Sequence, residues 1–168
     1  MPQTGQVPGP TLEAYEGDTV VVHFSNQLPE PTSVHWHGLH IPFDMDGSPF
    51  HPIPAGARHD YIFTIRPGTA GTYWYHPHHH GSADVQVASG MAGAIIVEGD
   101  FADVPEIARA RERVMLLTQV VFDAFYMIED FGTLFPETAT RFLAINGQRR
   151  PTIDMRPGEV QRWRLVGS

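Results

Sequence analysis

Short runs of β-branched and aromatic residues alternate with turn residues through the first hundred positions of the chain. Such runs favour strands, because branched and aromatic side chains pack well on a pleated surface. The predicted strands cover residues 19–24, 33–37, 60–65, 72–76 and 93–98. The stretch 42–54 is rich in Pro, Gly and Asp and predicts a long connection. Because helical periodicity is scarce, the pattern predicts an all-β sandwich or barrel.

The pattern changes after residue 98. Residues 100–113 are charged and contain several alanines, which is compatible with a linker or a short helix. Residues 114–117 and 142–145 are apolar, Asn146-Gly147 predicts a tight turn, and residues 160–166 predict a further strand. We therefore expect a first domain over residues 1–100, a linker over 101–113, and the opening of a second domain, not completed by this chain, over 114–168.

Composition narrows the classes of function. The chain has 168 residues, a formal net charge of −8 and no lysine, so its sequence offers no basic patch for nucleic acid. Without cysteine it has neither a disulfide framework nor a thiolate metal site. No apolar run approaches the ~20 residues of a membrane helix. Because residues 1–4 do not resemble a signal segment, we expect either a cytoplasmic protein or one whose leader has been removed.

Histidine is the residue type with an uneven distribution. All ten histidines lie between His23 and His80, whereas a purely solvent-exposed role would scatter them along the chain. Two segments carry His-x-His pairs: His35-Trp36-His37-Gly38, and residues 74–81 with the sequence Trp-Tyr-His-Pro-His-His-His-Gly. Residues i and i+2 of a strand point to one face, so two such strands side by side present four histidines to a shared space. Imidazole ligands suit copper, zinc, iron and nickel.

Less specific explanations exist for these histidines. A single His-x-His pair on a strand is weak evidence for metal binding, and His-rich runs also occur in purification tags. The run 76–80 is interrupted by Pro77 and follows an aromatic strand, which argues against a tag. Trp36 and Trp74 are expected to pack around the rings of the ligands. The other histidines are more simply explained as solvent-facing or supporting residues: His23, His40, His51 and His59.

The two histidine motifs and their surroundings resemble the multicopper oxidases of the laccase group. Leu39, Pro42, Asp46 and Gly47 follow the first motif as in the family, and the second motif matches the family's second. Residues 9–12, 16–18 and 90–97 are similar to the opening and the end of its first cupredoxin domain. Residues 146–147 and 157–165 are similar to the start of its second. The resemblance implies a cupredoxin-like Greek-key β-sandwich or barrel, followed by an incomplete second cupredoxin-like domain.

Carried over residue by residue, the resemblance implies copper as the cofactor and assigns its ligands. His35 matches a ligand of the type 2 copper, and His37 matches a ligand of the type 3 pair. His76 and His78 match histidines that each bind one type 3 copper. His80 follows at the same spacing, so a shifted assignment to His78 and His80 stays open, as does a supporting position for His80 beside the ligands.

The resemblance also implies a catalytic acid. In the family, an acid before a glycine in the connection after the first motif lies close to the type 2 copper and supplies protons to bound oxygen. Asp46 matches that acid. The alternative is that Asp46 only starts a turn, as Asp-Gly pairs often do. Asp44 lies close by and competes for the role of proton donor.

The implied enzyme couples one-electron oxidation of a phenolic, other organic or metal-ion reductant to the reduction of dioxygen to water. The other cluster histidines and the type 1 copper site, which needs a cysteine, belong in the family to a C-terminal cupredoxin domain missing here. We therefore expect the chain to be inactive alone. An unfinished domain should also expose apolar surface and promote self-association.

Two alternatives to this function stay open. The chain could be a stand-alone copper-binding or assembly module, or a subunit of an oligomeric oxidase that another chain completes. For the complete protein, the resemblance implies a periplasmic or secreted location.

Overall fold

A computed structural model describes residues 5–99, 104–122 and 140–168. Residues 1–4, 100–103 and 123–139 lie outside this description, and with them parts of the predicted amino-terminal segment, linker and second domain. The elements in chain order are β1 (Leu12–Tyr15), β2 (Thr19–Ser25), β3 (Val34–His37), β4 (Arg58–Thr64), β5 (Gly71–Pro77), α1 (Ala83–Ala88), β6 (Gly93–Glu98), α2 (Pro105–Ala108), β7 (Arg111–Phe122), β8 (Thr140–Ile145) and β9 (Gln161–Gly167). The prediction of an all-β chain is confirmed, and the five strands predicted in the first hundred residues are present.

Two elements, β1 and α1, were not predicted from the sequence pattern. Strand β1 has four residues, which is too short for a clear alternation of apolar and polar positions. It forms because it pairs in parallel with the distant strand β6, with Leu12 opposite Ile95. Helix α1 has six residues and follows the second histidine motif directly. Both elements therefore depend on tertiary contacts more than on local periodicity.

Residues 5–99 form two facing layers. One is a four-stranded sheet in the order β1-β6-β5-β3, and the other is the antiparallel pair β2-β4. Between them lies an apolar core in which the Trp36 ring packs 5.3 Å from that of Tyr61 and 5.1 Å from that of Phe63. Since Trp36 points into this core, its neighbours on β3 point to the opposite face of the sheet.

The last strands form a separate three-stranded sheet in the order β8-β7-β9. Strand β7 starts at Arg111, three residues before the apolar run that indicated it, and α2 lies in the segment predicted as a linker or short helix. The predicted tight turn follows β8, with positive φ at Asn146 (49°) and Gly147 (74°). Such angles are typical of a hairpin turn, and an isolated bridge joins Ile145 to Gln148.

One face of this second sheet packs against the first sheet. Leu116 and Val166 are buried together with Ala92 and Ala94. Buried Arg164 lies 2.8 Å from the carboxylate of Glu112 and donates a hydrogen bond of 3.0 Å to Thr72. The predicted first and second domains are therefore in contact through both apolar and polar side chains.

The other face of the second sheet is apolar and exposed. Leu143, Trp163 and Leu165 are 61%, 47% and 58% exposed, which is unusual for such large side chains. Neither α1 nor α2 is long or apolar enough to cross a membrane, and the described ranges contain no other helix.

Candidate metal centre

Strand pairing brings the two histidine motifs together. Strands β3 and β5 are antiparallel neighbours, and His35 lies opposite His76 in the register. His37 lies opposite Trp74, two residues further along each strand. Because side chains alternate across a strand, His35, His37, His76 and Trp74 all project from the same face. The predicted convergence of the two motifs is confirmed for these three histidines.

The three rings are close enough for a common metal site. One nitrogen of each of His35, His37 and His76 lies within 4.8 Å of one of the others. The tightest approach joins His37 Nδ1 and His76 Nε2, which are 3.2 Å apart. The three ring centroids are mutually equidistant, with 5.4 Å between the members of each pair.

His78 joins the group from outside the strand, since β5 ends at Pro77. Its ring centroid lies 5.1 Å from that of His35 and 5.8 Å from that of His76. His80 is exposed, and its centroid is 6.0 Å from that of His78. The ring of His78 is therefore in contact with the three-histidine group, and that of His80 lies one ring further out.

Backbone carbonyls orient two of the rings. His35 Nδ1 donates to the carbonyl oxygen of Asp46 at 2.9 Å, and His76 Nδ1 donates to that of Pro77 at 2.8 Å. A carbonyl can only accept, so the proton of each neutral ring is on Nδ1 and the lone pair that could bind a metal is on Nε2. In His76 this Nε2 faces His37 Nδ1 at 3.2 Å. His78 Nδ1 is buried and has no hydrogen-bond partner among the described residues.

Burial favours the neutral form of two of the clustered rings, those of His76 and His37. It lowers the pKa of His76 to about 4, with the Pro77 carbonyl opposing the shift and repulsion from His35 adding to it. The pKa of His37 is also lowered, first by burial and then by repulsion from His35 and His78. Metal binding needs deprotonated ligands, so these shifts favour it at neutral pH.

Asp46 lies beside His35. Its Oδ1 is 3.2 Å from His35 Nδ1, and about a third of the side chain is exposed. Burial raises the pKa of this carboxyl, and the attraction of His35 opposes the shift. A carboxyl with a raised pKa, next to a ring and reachable by water, takes up a proton more readily than an ordinary aspartate.

The loop that carries Asp46 is held against β3. Trp36 Nε1 donates to the carbonyl of Met45 at 3.0 Å. Gly47 has a φ of +64°, and a Cβ atom there would lie 1.9 Å from the carbonyl oxygen of Val34. Only glycine fits this close approach, so Gly47 allows the backbone of Asp46 to reach His35.

The two tryptophans of the motifs have different positions. Trp74 stacks on His76 with 4.2 Å between ring centroids and lies 5.0 Å from His37, as predicted. The prediction that Trp36 also packs around the ligand rings is wrong. Strand alternation sends Trp36 to the opposite face, where it is 1% exposed in the core.

The remaining histidines lie outside the three-histidine group. His23 is exposed and pairs with Asp60 at 2.9 Å. His59 packs on the ring of Tyr61, and His40 and His51 are exposed. These positions agree with the solvent-facing or supporting explanation.

Comparison with known proteins identifies the family. Residues 2–101 match the sequence profile of the family described as multicopper oxidase, which is more than half of the chain.

The chain belongs to the multicopper oxidase family.

Individual relatives agree with this assignment. Copper resistance protein A of Escherichia coli is 40% identical over 115 residues, which are 68% of this chain and 18% of that protein. A solved multicopper oxidase from Campylobacter jejuni, described as a metallo-oxidase, superposes with a TM-score of 0.76 at 37% identity, covering 88% of this chain and 31% of that one. A multicopper oxidase from Pseudomonas thermotolerans has a TM-score of 0.77 at 32% identity, covering 97% and 40%.

These comparisons confirm the cupredoxin-like β-sandwich, and they show that the chain spans about a fifth of the length of the curated relative. Copper is the cofactor that a multicopper oxidase implies. The donor set fits it, because the group offers clustered imidazoles, two of which carry the lone pair on Nε2, and a buried ring nitrogen of His78 without a partner among the described residues.

Sequence reasoning did not identify two further contributors to the site. One is Gly47, whose close contact with β3 is visible only after the loop is folded. The other is Gln86 of α1, a buried polar residue between the two motif-bearing segments. Neither has a local signal in the sequence beyond its residue type.

Proposed function

We propose that this chain supplies His35, His37, His76 and His78 to the type 2 and type 3 copper cluster of a multicopper oxidase. The carrying observation is the convergence of three imidazoles, with nitrogens within 4.8 Å, on one face of paired strands. When bound, copper at such a cluster supplies the redox chemistry that reduces dioxygen to water. The chain's own contribution is to hold and orient the ligand rings.

The roles of the individual rings are those that the resemblance implies, and the positions of the rings are compatible with them. His37 and His76, whose Nδ1 and Nε2 atoms lie 3.2 Å apart, would hold one type 3 ion. His35, held by Asp46, is assigned to the type 2 ion through Nε2. His78, which reaches the group from the loop after β5, is assigned to the other type 3 ion. His80 is a neighbour of the ligands in this assignment.

Asp46 is proposed as the group that delivers protons during dioxygen reduction. Its carboxyl is next to His35, it is partly exposed, and its pKa is raised by burial. Asp44 is exposed and is the weaker candidate, because no contact ties it to a ligand ring among the described residues.

The complete enzyme would oxidise a phenolic, other organic or metal-ion reductant at a type 1 copper. That site, with its cysteine, would belong to a C-terminal cupredoxin domain, because this chain has no cysteine. We expect the chain alone to be inactive as an oxidase, and the complete protein to be periplasmic or secreted.

A second candidate is a copper-binding subunit that another chain completes. The exposed apolar face with Leu143, Trp163 and Leu165 favours it, because such a face promotes association. Sedimentation of the purified chain would distinguish a stable oligomer from a monomer.

Copper titration tests the ligand assignment. We expect the chain to bind Cu(II) with the paramagnetic resonance spectrum of an ordinary nitrogen-ligated centre, without intense blue colour or turnover of phenols. Replacing His37 and His76 with Ala should reduce binding. Dependence on His79 or His80 alone, or oxidase turnover by the pure chain, would contradict the proposal.

The role of Asp46 needs the complete enzyme. Asp46→Asn should leave copper loading and reduction of the type 1 site nearly intact, while it slows reoxidation by dioxygen and changes the pH profile. Asp44→Asn is the matched control. If Asp46→Asn turns over at the wild-type rate across the pH range, Asp46 has no role in proton delivery and only starts a turn.

A further inference from the structure

Strand pairing does not explain the position of His78. The register of β3 and β5 runs from His37 opposite Trp74 to Val34 opposite Pro77 and ends there. His78 belongs to the short connection between β5 and α1, so its position depends on how α1 is attached to the sheet.

Gln86 attaches α1 to the segment before β3. Its side chain belongs to a residue that is only 3% exposed. Gln86 Nε2 lies 2.9 Å from Glu30 Oε1 and 3.2 Å from the carbonyl oxygen of Pro31, and Oε1 accepts a 2.7 Å hydrogen bond from Thr32 Oγ1. Within the helix turn, Nε2 also lies 3.0 Å from Ser82 Oγ.

Both ends of this network lead to histidines. Thr32 lies two residues before β3, the strand with the first motif, and exchanges backbone hydrogen bonds with Ile53 at the end of the loop that carries Asp46. Ser82 precedes α1, and its backbone N–H donates to the carbonyl of His79 at 3.2 Å. Gln86 therefore lies where the two histidine-bearing segments and the Asp46 loop are joined.

We propose that Gln86 is a positioning residue for the copper site, because it sets the distance between the His35 segment and the His78 loop. This inference rests on the proposed function. Gln86 touches no ligand ring and therefore acts only through the backbone segments that it joins. A buried amide with both polar atoms paired imposes a defined geometry, which an apolar side chain of similar size does not.

The test compares Cu(II) binding by the 168-residue chain with that of three variants. Gln86→Leu removes the network and should weaken Cu(II) binding about tenfold, as loss of an orienting partner commonly does. The paramagnetic resonance spectrum should then show fewer nitrogens coupled to the copper. Gln86→Glu places a second carboxylate against Glu30 and should weaken it at least as much. The double variant Gln86→Glu with Glu30→Gln restores a hydrogen bond between positions 30 and 86, but the Pro31 carbonyl loses its donor. It should therefore recover part of the affinity that Gln86→Glu loses.

Ser89→Ala is the matched control. It removes a hydrogen bond of the same helix, from Ser89 Oγ to the Val85 carbonyl, that does not reach the sheet. It should bind copper like the unmodified chain. NMR signals of the imidazole rings in the metal-free proteins give a second reading. The signals of His78 should shift in Gln86→Leu and move back in the double variant.

The outcomes separate the two proposals. If a chain whose only change is His35→Ala binds copper as well as the unmodified chain, the proposed function fails, and this inference fails with it. If copper binding depends on His35 but is unchanged in Gln86→Leu, only the positioning role is overturned. If Gln86→Leu does not fold, the exchanged pair decides: folded protein that binds copper no better than Gln86→Glu contradicts the role, and partly recovered binding supports it.

Discussion

The two histidine motifs reach the same site by different means. In the first, both histidines lie on β3, where strand alternation alone directs them to one face. In the second, His76 lies on β5, but His78 lies beyond the end of the strand. The first motif is thus placed by local backbone geometry. In the second motif, His78 is placed by a loop and a helix.

This difference indicates where the site should tolerate change. Ligands set by a sheet register are coupled to many backbone hydrogen bonds, so they are hard to displace without unfolding the sheet. A ligand on a connection depends on few contacts, and changes at those contacts should move it alone.

The largest effect is expected from His35 of the strand-placed motif, whose ring lies 5.4 Å from those of His37 and His76 and 5.1 Å from that of His78. His35→Ala should weaken Cu(II) binding by roughly a hundredfold, because a structural zinc site is worth about 10–16 kcal/mol in all, and one of its four ligands therefore a few kcal/mol. Competition titration measures the loss. His23→Ala, which removes an exposed ring paired with Asp60, is the control. Equal effects of the two variants would mean that His35 is not a copper ligand.

A large effect is also expected at Gly47, which brings the Asp46 loop onto the strand-placed motif. Gly47→Ala must distort the loop, since its Cβ would lie 1.9 Å from the carbonyl oxygen of Val34. Gly56→Ala has a similar positive φ of 75° but meets no atom within 4 Å. Each substitution should lower the free energy of unfolding by about 1–3 kcal/mol, because alanine is strained in the left-handed backbone conformation. Gly47→Ala should lose more than this and should also lose copper affinity. Thermal unfolding and copper titration measure this, and equal losses would show that the contact is unimportant.

A moderate effect should separate His78 from His80 in the second motif. His78→Ala should weaken Cu(II) binding about tenfold, comparable to the loss of an orienting contact, because its ring lies 5.1 Å from that of His35. His80→Ala should have less effect, since its ring is exposed and further out. The reverse order in a titration would support the assignment shifted to His78 and His80.

The smallest effect concerns the core beneath the first motif. Burial raises the pKa of Tyr61 from 10.0 to about 12, although its oxygen accepts a hydrogen bond from the Val34 N–H. The stability that depends on neutral Tyr61 is therefore complete below pH 10 and is lost as the pH rises towards 12. In an absorbance titration, Tyr61→Phe should reduce the late tyrosinate phase, whereas Tyr15→Phe, at an exposed position, should leave it unchanged. A late phase that survives in Tyr61→Phe would contradict this.

The fold could be predicted well wherever a strand is marked by its own residues. The runs at 19–24, 33–37, 60–65, 72–76 and 93–98 are rich in β-branched or aromatic residues, and strands β2 to β6 form there. Strand β1 and helix α1 were missed because each is short and depends on partners distant in the sequence. Trp36 was placed wrongly although the strand alternation that puts His35 and His37 on one face already directs Trp36 to the other.

The convergence of three histidines could be predicted from the sequence. His-x-His spacing and strand alternation bring His35, His37 and His76 to one face once β3 and β5 pair, and the ten clustered histidines indicate a single site. The four ligands and Asp46 remain a proposal derived from the resemblance and supported by these distances.

The sequence by itself determined the strand periodicity, the histidine spacing and the family, because each is carried by residues close together in the chain. Only the tertiary structure decided that Nδ1 of His35 and of His76 carries the ring proton. The carbonyls of Asp46 and Pro77 that accept these protons are placed by folded loops. It also decided that Gln86 joins the two motifs, since its partners Glu30, Pro31 and Thr32 are more than fifty residues away in sequence. Contacts of that kind arise from packing of distant segments, which local patterns do not encode.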